Sequence, residues 1–349
     1  MQKLDPRIAS RIERYCRFYE SDEPGLMVVM RPRWVGKKNL FDYDFTKNGH
    51  IEMAADMLVS ARALLDEEII PSDLIPWLTP DFGIAIHHTF LADAEVTFAE
   101  WTSWAPHPLA GDDGYSKLKD LHFSLDNRWV KATLETLSYW REHNDGTCLS
   151  AVLNFAPLDL ANALRGNALF TDFYDYPDEV TELLRISTEA IIAFEKECRK
   201  ITGEHIENIG MPFWGALAPK NSLYISEDTA DMIGPVLTEE WALPWSRKIK
   251  DAFGSLAIHH HMLGAKCHNL LSSELRPGLM QLTTDPNCPP PMSCLDQWME
   301  IHRQVPLMID LSPQEIFDNI DKLRKLRAVI ITNTNDRDEA KRIVELVRG

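Results

Sequence analysis

The sequence predicts an α/β protein built as a (β/α)8 barrel, and three observations carry that prediction. Short apolar runs alternate with longer segments of helical period along most of the chain, the pattern of a parallel sheet assembled from strand–helix units. Toward the C-terminus, a strand pattern leads into a helix with a complete start signal. A further run, Ser255 to His260, carries consecutive histidines onto a Gly turn, the place where strands of such a barrel present reactive groups.

The segment MQKLDPRIASRIERYCRFYE is charged and helical in pattern, which predicts a helical extension ahead of the first strand. It lacks the apolar core and small-residue cleavage site of a secretory signal. Strands are expected at Leu26 to Met30, near Leu74 to Leu78, and at Leu149 to Phe155, Leu223 to Ile225 and Ser255 to His260. Three more are expected at Leu279 to Thr283, Pro306 to Ile309 and Ala328 to Thr332. From Pro177 to Lys200, the residues Val180, Leu183, Leu184, Ala190, Ile191, Phe194 and Cys198 form one helical stripe suited to covering a sheet. Ser312, Pro313 and Glu315 supply an N-cap, a first-turn proline and a capping-box partner for a helix buried through Ile316, Phe317, Ile320 and Leu323. A helix over Asp338 to Val347 completes the last unit. The first and last strands should then pair and close the barrel.

Two stretches exceed a minimal barrel, Trp101 to Trp129 and Gly203 to Asn221, both rich in turn residues and aromatics. They are expected as lid-like insertions and pocket walls, or as surface excursions anchored by tryptophan. No Gly/Ser-rich linker or internal repeat divides the chain, so residues 1–349 are expected to form a single domain.

Composition narrows the function classes. With 349 residues, 45% of them hydrophobic, the chain can bury a large core. A net charge of −17 without a basic stripe argues against a nucleic-acid partner. No run reaches membrane-spanning length. Six cysteines without dense spacing read as reduced thiols of a cytoplasmic protein.

Candidate chemistry concentrates on SLAIHHHMLGAKCHNLL. Strand alternation sends His259 and His261 to one face and His260 to the other. His259, His261, Cys267 and His268 are suitable metal ligands, and Cys288 and Cys294 lie in the nearby TDPNCPPPMSC loop. The competing reading is one of buried thiols and hydrogen-bonded imidazoles. Asp228 follows a strand and either touches substrate or caps the helix beginning near Thr229. Asp285 should also lie at a strand end. Arg31, at the end of the first strand, either meets an anionic substrate or forms a structural ion pair.

Four segments, PGLMVVMRPRW, LNFAPLDLANALRG, SEDTADMIGPVLTEEWALPW and IHHHMLG, agree in order and spacing with a known pattern. Through them the chain, from about Pro24 onward, resembles the uroporphyrinogen decarboxylase superfamily, which contains the decarboxylase of haem biosynthesis and the corrinoid-linked methyltransferases. The resemblance implies a TIM barrel with its cleft at the C-terminal face. It places His261 on the family's His, Asp228 on the family's Asp, and Arg31 on the arginine after the first strand, with Arg33 and Trp34 beside it. Asp81 stands in for the family's pyrrole-binding Asp. The chain departs from the decarboxylase in its last strand, VIITNTN, which lacks a Gly-His-Gly turn. It departs from the zinc-binding methyltransferases in carrying Leu263 and Asn333 where cysteines would stand.

The resemblance therefore implies, first, methyl transfer between a corrinoid and a small acceptor, catalysed through His261 and Asp228. Arg31, Arg33, Trp34, His259, Asp81 and Asp285 would bind substrate. A zinc ion would fall to His261 and Cys267. A corrinoid protein is the implied partner, and a homodimer the implied assembly. The alternatives are decarboxylation of a porphyrinogen or other carboxylated substrate, and a non-catalytic corrinoid-binding protein.

Overall fold

The computed structural model describes residues 3–31, 38–68, 70–92, 94–285, 287–296, 299 and 305–349. Thirteen strands occur among them, in chain order β1 Gly25–Met30, β2 Trp77–Leu78, β3 Thr97–Phe98, β4 Ser103–Trp104, β5 Leu149–Ser150, β6 Asn154–Phe155, β7 Met211–Phe213, β8 Ala216–Ala218, β9 Ser222–Ser226, β10 Ser255–His259, β11 Leu279–Leu282, β12 Leu307–Asp310 and β13 Arg327–Thr332. Seven of these form one parallel sheet in the order β1-β13-β12-β11-β10-β9-β6. The first and last strands pair as expected, from Gly25 against Arg327 to Met30 against Thr332.

The remaining expected strand, β2, is only two residues long and pairs in parallel with β5. The expected strand from Leu149 to Phe155 is split: its first part pairs with β2 and its second, β6, with β9. Between β1 and the chain leading into β2, side chains extend the ladder. The Asp73 N–H donates to the Val28 carbonyl (2.7 Å), the Val28 N–H donates to Asp73 Oδ2 (2.8 Å), and the Met30 N–H donates to Ser72 Oγ (3.3 Å).

Strand alternation divides the core into two faces. Val28, Met30, Leu307, Ile309, Ala328 and Ile330 pack against the helices Pro313–Leu323 and Arg337–Arg348, and Leu223, Ile225, Leu256, Ile258 and Met280 against the helices on the other flank. The opposite face carries Met27, Val29, Tyr224, Ala257, Leu279, Met308, Val329 and Ile331. The helix with the predicted stripe runs from Pro177 to Asn208, eight residues beyond Lys200. The predicted capping box at Ser312 and Glu315 is formed.

The Gly203 to Asn221 stretch is not a surface excursion; it packs inward, and its Trp214 joins the pocket wall. After the long helix, β7 and β8 make an antiparallel hairpin whose Met211, Phe213, Ala216, Leu217 and Ala218 are buried among the inner-face residues. Its apolar, tightly turned sequence fills that face. The turn is Trp214 and Gly215, with φ of 50° and 88°. A Cβ on Gly215 would come within 2.9 Å of Leu74, 3.1 Å of Trp77 and 3.2 Å of Val29, so only glycine fits there. The N-terminal helix Pro6–Glu20, capped by Asp5, adds Ile8, Ile12, Tyr15 and Phe18 to the same cluster.

Candidate active site

The inner-face period of two continues past the apolar core into polar residues at the strands' C-terminal ends. Val29 leads to Arg31, Tyr224 to Ser226 and Asp228, Ala257 to His259 and His261, Leu279 to Gln281 and Thr283, and Met308 to Asp310. One polar layer is thereby collected from five of the seven strands of this sheet.

Its centre is the histidine pair. His259 Nε2 lies 2.9 Å from His261 Nε2, and Asp228 Oδ1 lies 3.9 Å and 3.6 Å from these two atoms. His259 Nδ1 meets Gln281 Oε1 at 2.7 Å, and Gln281 Nε2 donates to Asp310 Oδ2 at 3.4 Å. His261 Nδ1 meets Asp285 Oδ1 at 2.6 Å, while Asp285 Oδ2 accepts the Leu263 N–H at 2.8 Å. Thr283 donates its hydroxyl to Asp310 Oδ2. Burial lowers the pKa of His259, which favours its neutral form.

His260 points the other way. It is fully buried, with Nε2 on the Gly264 carbonyl (2.9 Å) and Nδ1 3.2 Å from Asp231 Oδ1. Burial lowers its pKa to about 4 and, followed by the Asp228 charge, raises that of Asp231 to about 9. The two therefore meet at neutral pH as an uncharged pair. A Cβ at Gly264 would collide with Asp231 and crowd the His260 ring, so this glycine is required by the close approach.

Asp228 does not cap the helix Thr229–Met232, because its side chain makes no capping bond. Asp159 does that work: it accepts the Thr229 N–H on Oδ1 (2.7 Å) and the Asp228 N–H on Oδ2 (3.0 Å). The Ser226 hydroxyl lies 2.8 Å from both Asp159 Oδ2 and Asp228 Oδ2. Burial, then the Asp228 charge, raises Asp159 to about 7. Burial, then Asp159, raises Glu227 to about 8, with the Ser246 hydroxyl donating to it.

A cavity of about 370 Å³ opens over this layer, lined by Tyr43, Trp77, Trp101, Phe155, Trp214 and Tyr224, with Asp81, Asn154, Asp228 and His259 among its polar groups. Trp214, at the hairpin tip, stacks with His259 at 6.2 Å between ring centroids. The Trp101 segment supplies a wall, as expected of an insertion.

Several site expectations require correction. Arg31 takes its structural alternative: its Nε and Nη2 donate to the Trp214 carbonyl (3.3 and 3.2 Å), and Nη1 lies 3.6 Å from Asp310 Oδ1. It fastens the hairpin tip to β12. Asp285 is likewise spent on protein, orienting His261. Cys267 does not join His261. It is fully buried, with its thiol facing the Ala230 and Ile233 carbonyls and the Thr238 hydroxyl. Asp81 lies in the cavity wall, and His259 stands beside His261 on the same face, as strand alternation requires. Arg33 and Trp34 lie outside the described residues.

Sequence reasoning missed Asp159, Gln281, Asp310 and Trp214. Gln281 and Asp310 carried a readable signal, since each is a polar residue at an inner-face position of an otherwise apolar run, LMQL and LMID. Asp159 and Trp214 carried none, because their roles depend on contacts far along the chain.

No family model matches the sequence, and no curated protein matches it. Among solved structures, the fold is similar to that of a methyltransferase from Methanosarcina mazei, with a TM-score of 0.64 and 13% identity. The match covers 97% of this chain and 98% of that one. At this identity the likeness concerns the fold, and it extends over both chains nearly end to end.

The thiolate-rich zinc set implied by the methyltransferase resemblance does not fit these residues: Leu263 and Asn333 stand at the cysteine positions, and Cys267 is turned away. Among the described residues, the group of three metal-ligand types with mutually close donor atoms is Asp228, His259 and His261.

Proposed function

We propose that this protein is an enzyme of the uroporphyrinogen decarboxylase superfamily, folded as a closed (β/α)8 barrel, that transfers a methyl group between a corrinoid and a small acceptor. The observation that carries this reading is the Asp228–His259–His261 group at the inner end of an aromatic cavity, at the C-terminal edge of a parallel sheet whose overall fold is similar to a methyltransferase. The side-chain bridge from Asp73 and Ser72 to β1 supports closure, because it supplies hydrogen bonds where the strands themselves do not pair.

The chemistry asked of the chain is modest. An acceptor X–H gives up a proton as its X–CH3 bond forms, and the electron pair of the broken methyl bond stays with the donor. At the inner end of the cavity the Asp228–His259–His261 group, with Asp285 orienting His261, polarises X–H, and the proton leaves to solvent through the cavity mouth. Trp214, Trp101 and Trp77 exclude water and hold the acceptor's apolar part, while a cavity of about 370 Å³ lies at the small end of ligand sites. A corrinoid would approach the mouth from outside. The decarboxylase reading is less well supported, since Arg31 is committed to Trp214 and Asp310 and the cavity wall carries Asp56, Asp81 and Asp228, which repel carboxylates.

An acceptor screen tests the proposal. With methylcobalamin as donor, small thiols, amines and phenols should be ranked by the rate of loss of the methylated corrinoid spectrum. Trp214→Ala should raise the KM of the best acceptor at least about tenfold, through lost stacking and apolar contact. A screen in which no acceptor is methylated above the rate without protein would overturn it.

A further inference from the structure

We propose that His259 Nε2, His261 Nε2 and Asp228 Oδ1 hold a divalent transition-metal ion through two nitrogens and one oxygen, with its open positions toward the aromatic cavity. Asp285 can only accept, so the ring nitrogen facing it, His261 Nδ1, carries the hydrogen. Gln281 is oriented by Asp310: its Nε2 faces that carboxylate, so its oxygen faces His259, and His259 Nδ1 also carries a hydrogen.

In the neutral imidazoles both Nε2 atoms therefore present lone pairs, and they face each other at 2.9 Å. The third member, Asp228 Oδ1, is inaccessible to solvent and has no hydrogen-bond donor. Three acceptors thus converge with no donor among them. A single proton on one imidazole would serve one contact. A metal ion serves all three at once.

The dimensions agree. Bonds of about 2.0–2.1 Å place neighbouring donors roughly 3.0–3.4 Å apart, and the observed separations of 2.9, 3.6 and 3.9 Å bracket that range. The outer partners follow the usual arrangement for metal-bound histidine, in which the second ring nitrogen donates to a carboxylate or carbonyl oxygen. Two histidines and one carboxylate leave several positions open, and they select iron, cobalt, manganese or zinc rather than the softer ions thiolates prefer. Asp228 and His259 both line the cavity, so an added ligand would enter from that side. The inference rests on the site's geometry and not on methyl transfer.

The test uses the full chain, purified without a histidine tag and stripped with a chelator. Titration with Co²⁺ should give one equivalent of binding, with visible d–d bands and no sulfur-to-cobalt charge-transfer band in the near ultraviolet. His259→Ala and His261→Ala should abolish the spectrum. Asp285→Asn, which leaves all three ligands in place, should weaken binding about 10–100-fold. Cys267→Ser should leave it unchanged. If either alanine variant fails to fold, the Asp285→Asn result decides. Absence of stoichiometric binding, a thiolate charge-transfer band, or unaltered affinity in Asp285→Asn would overturn the proposal, whatever the outcome of the acceptor screen.

Discussion

His260 and His261 are chemically alike and one residue apart, yet the pleat gives them unrelated work. His261 is partly exposed beside the cavity-lining His259 and has an orienting carboxylate, whereas His260 is sealed against Asp231 and the Gly264 carbonyl. His261→Gln should depress turnover severely with little loss of stability. His260→Gln should instead destabilise the fold by about 1–3 kcal/mol, because buried polar partners lose their geometry. Paired measurements of kcat and denaturation midpoint separate the two, and a reversal of these effects would refute the assignment. Asp231 makes a pH prediction. Its folded-state pKa of about 9 stands above its ordinary value of 3.8. The stability it contributes is fully present below the lower value and lost as pH rises through the higher one, at most about 1.4 kcal/mol per pH unit. Asp231→Asn keeps a donor for His260 and escapes that loss, so it should gain stability relative to the parent between about pH 6 and pH 8.5. A constant difference across that range would contradict the neutral pair. The opposite orientations of these histidines were legible in the sequence because alternation is a local rule; the partners that fix their tautomers, Gln281 and Asp310, come from other strands and were not.

At the scale of elements, local signals were read best where the local interaction decides the structure. Ser312 and Glu315 bond reciprocally within four residues, and the predicted helix start is present. Ser312→Ala should cost about 1 kcal/mol, measured by chemical denaturation, and no loss would mean that tertiary packing alone sets this boundary. The inward packing of the β7–β8 hairpin was not legible for the converse reason, although its Trp214 is the pocket wall that an insertion there suggested. Its strands are three residues each, too short for a clear alternation, and its tryptophan and glycines resemble a surface loop. What makes it an inner-face plug is the apolar face waiting for it, formed by residues from Met27 to Ile331. The same plug positions Trp214, and through its carbonyl, Arg31. An arginine that the sequence suggested for ligand binding is thereby drawn into supporting the pocket floor.

For the whole molecule, the strand–helix alternation was sufficient to anticipate the parallel sheet and the pairing of its first and last strands. It did not anticipate how thin the sheet becomes at β2, β5 and β6, where pairs are two residues long and Asp73 and Ser72 substitute for strand residues. No helix among the described residues is long and apolar enough to cross a membrane. The architecture matters for function because it brings the ends of five strands to one polar layer beneath one aromatic cavity. Methyl transfer at that layer can be followed with a labelled methyl group passing from methylcobalamin to the acceptor in a single turnover, with the parent protein and with Asp228→Asn and His261→Gln. Stoichiometric transfer is expected of the parent, with a rate lowered at least about 100-fold in both variants. Equal transfer by all three, or recovery of the label solely in unreacted donor, would contradict it.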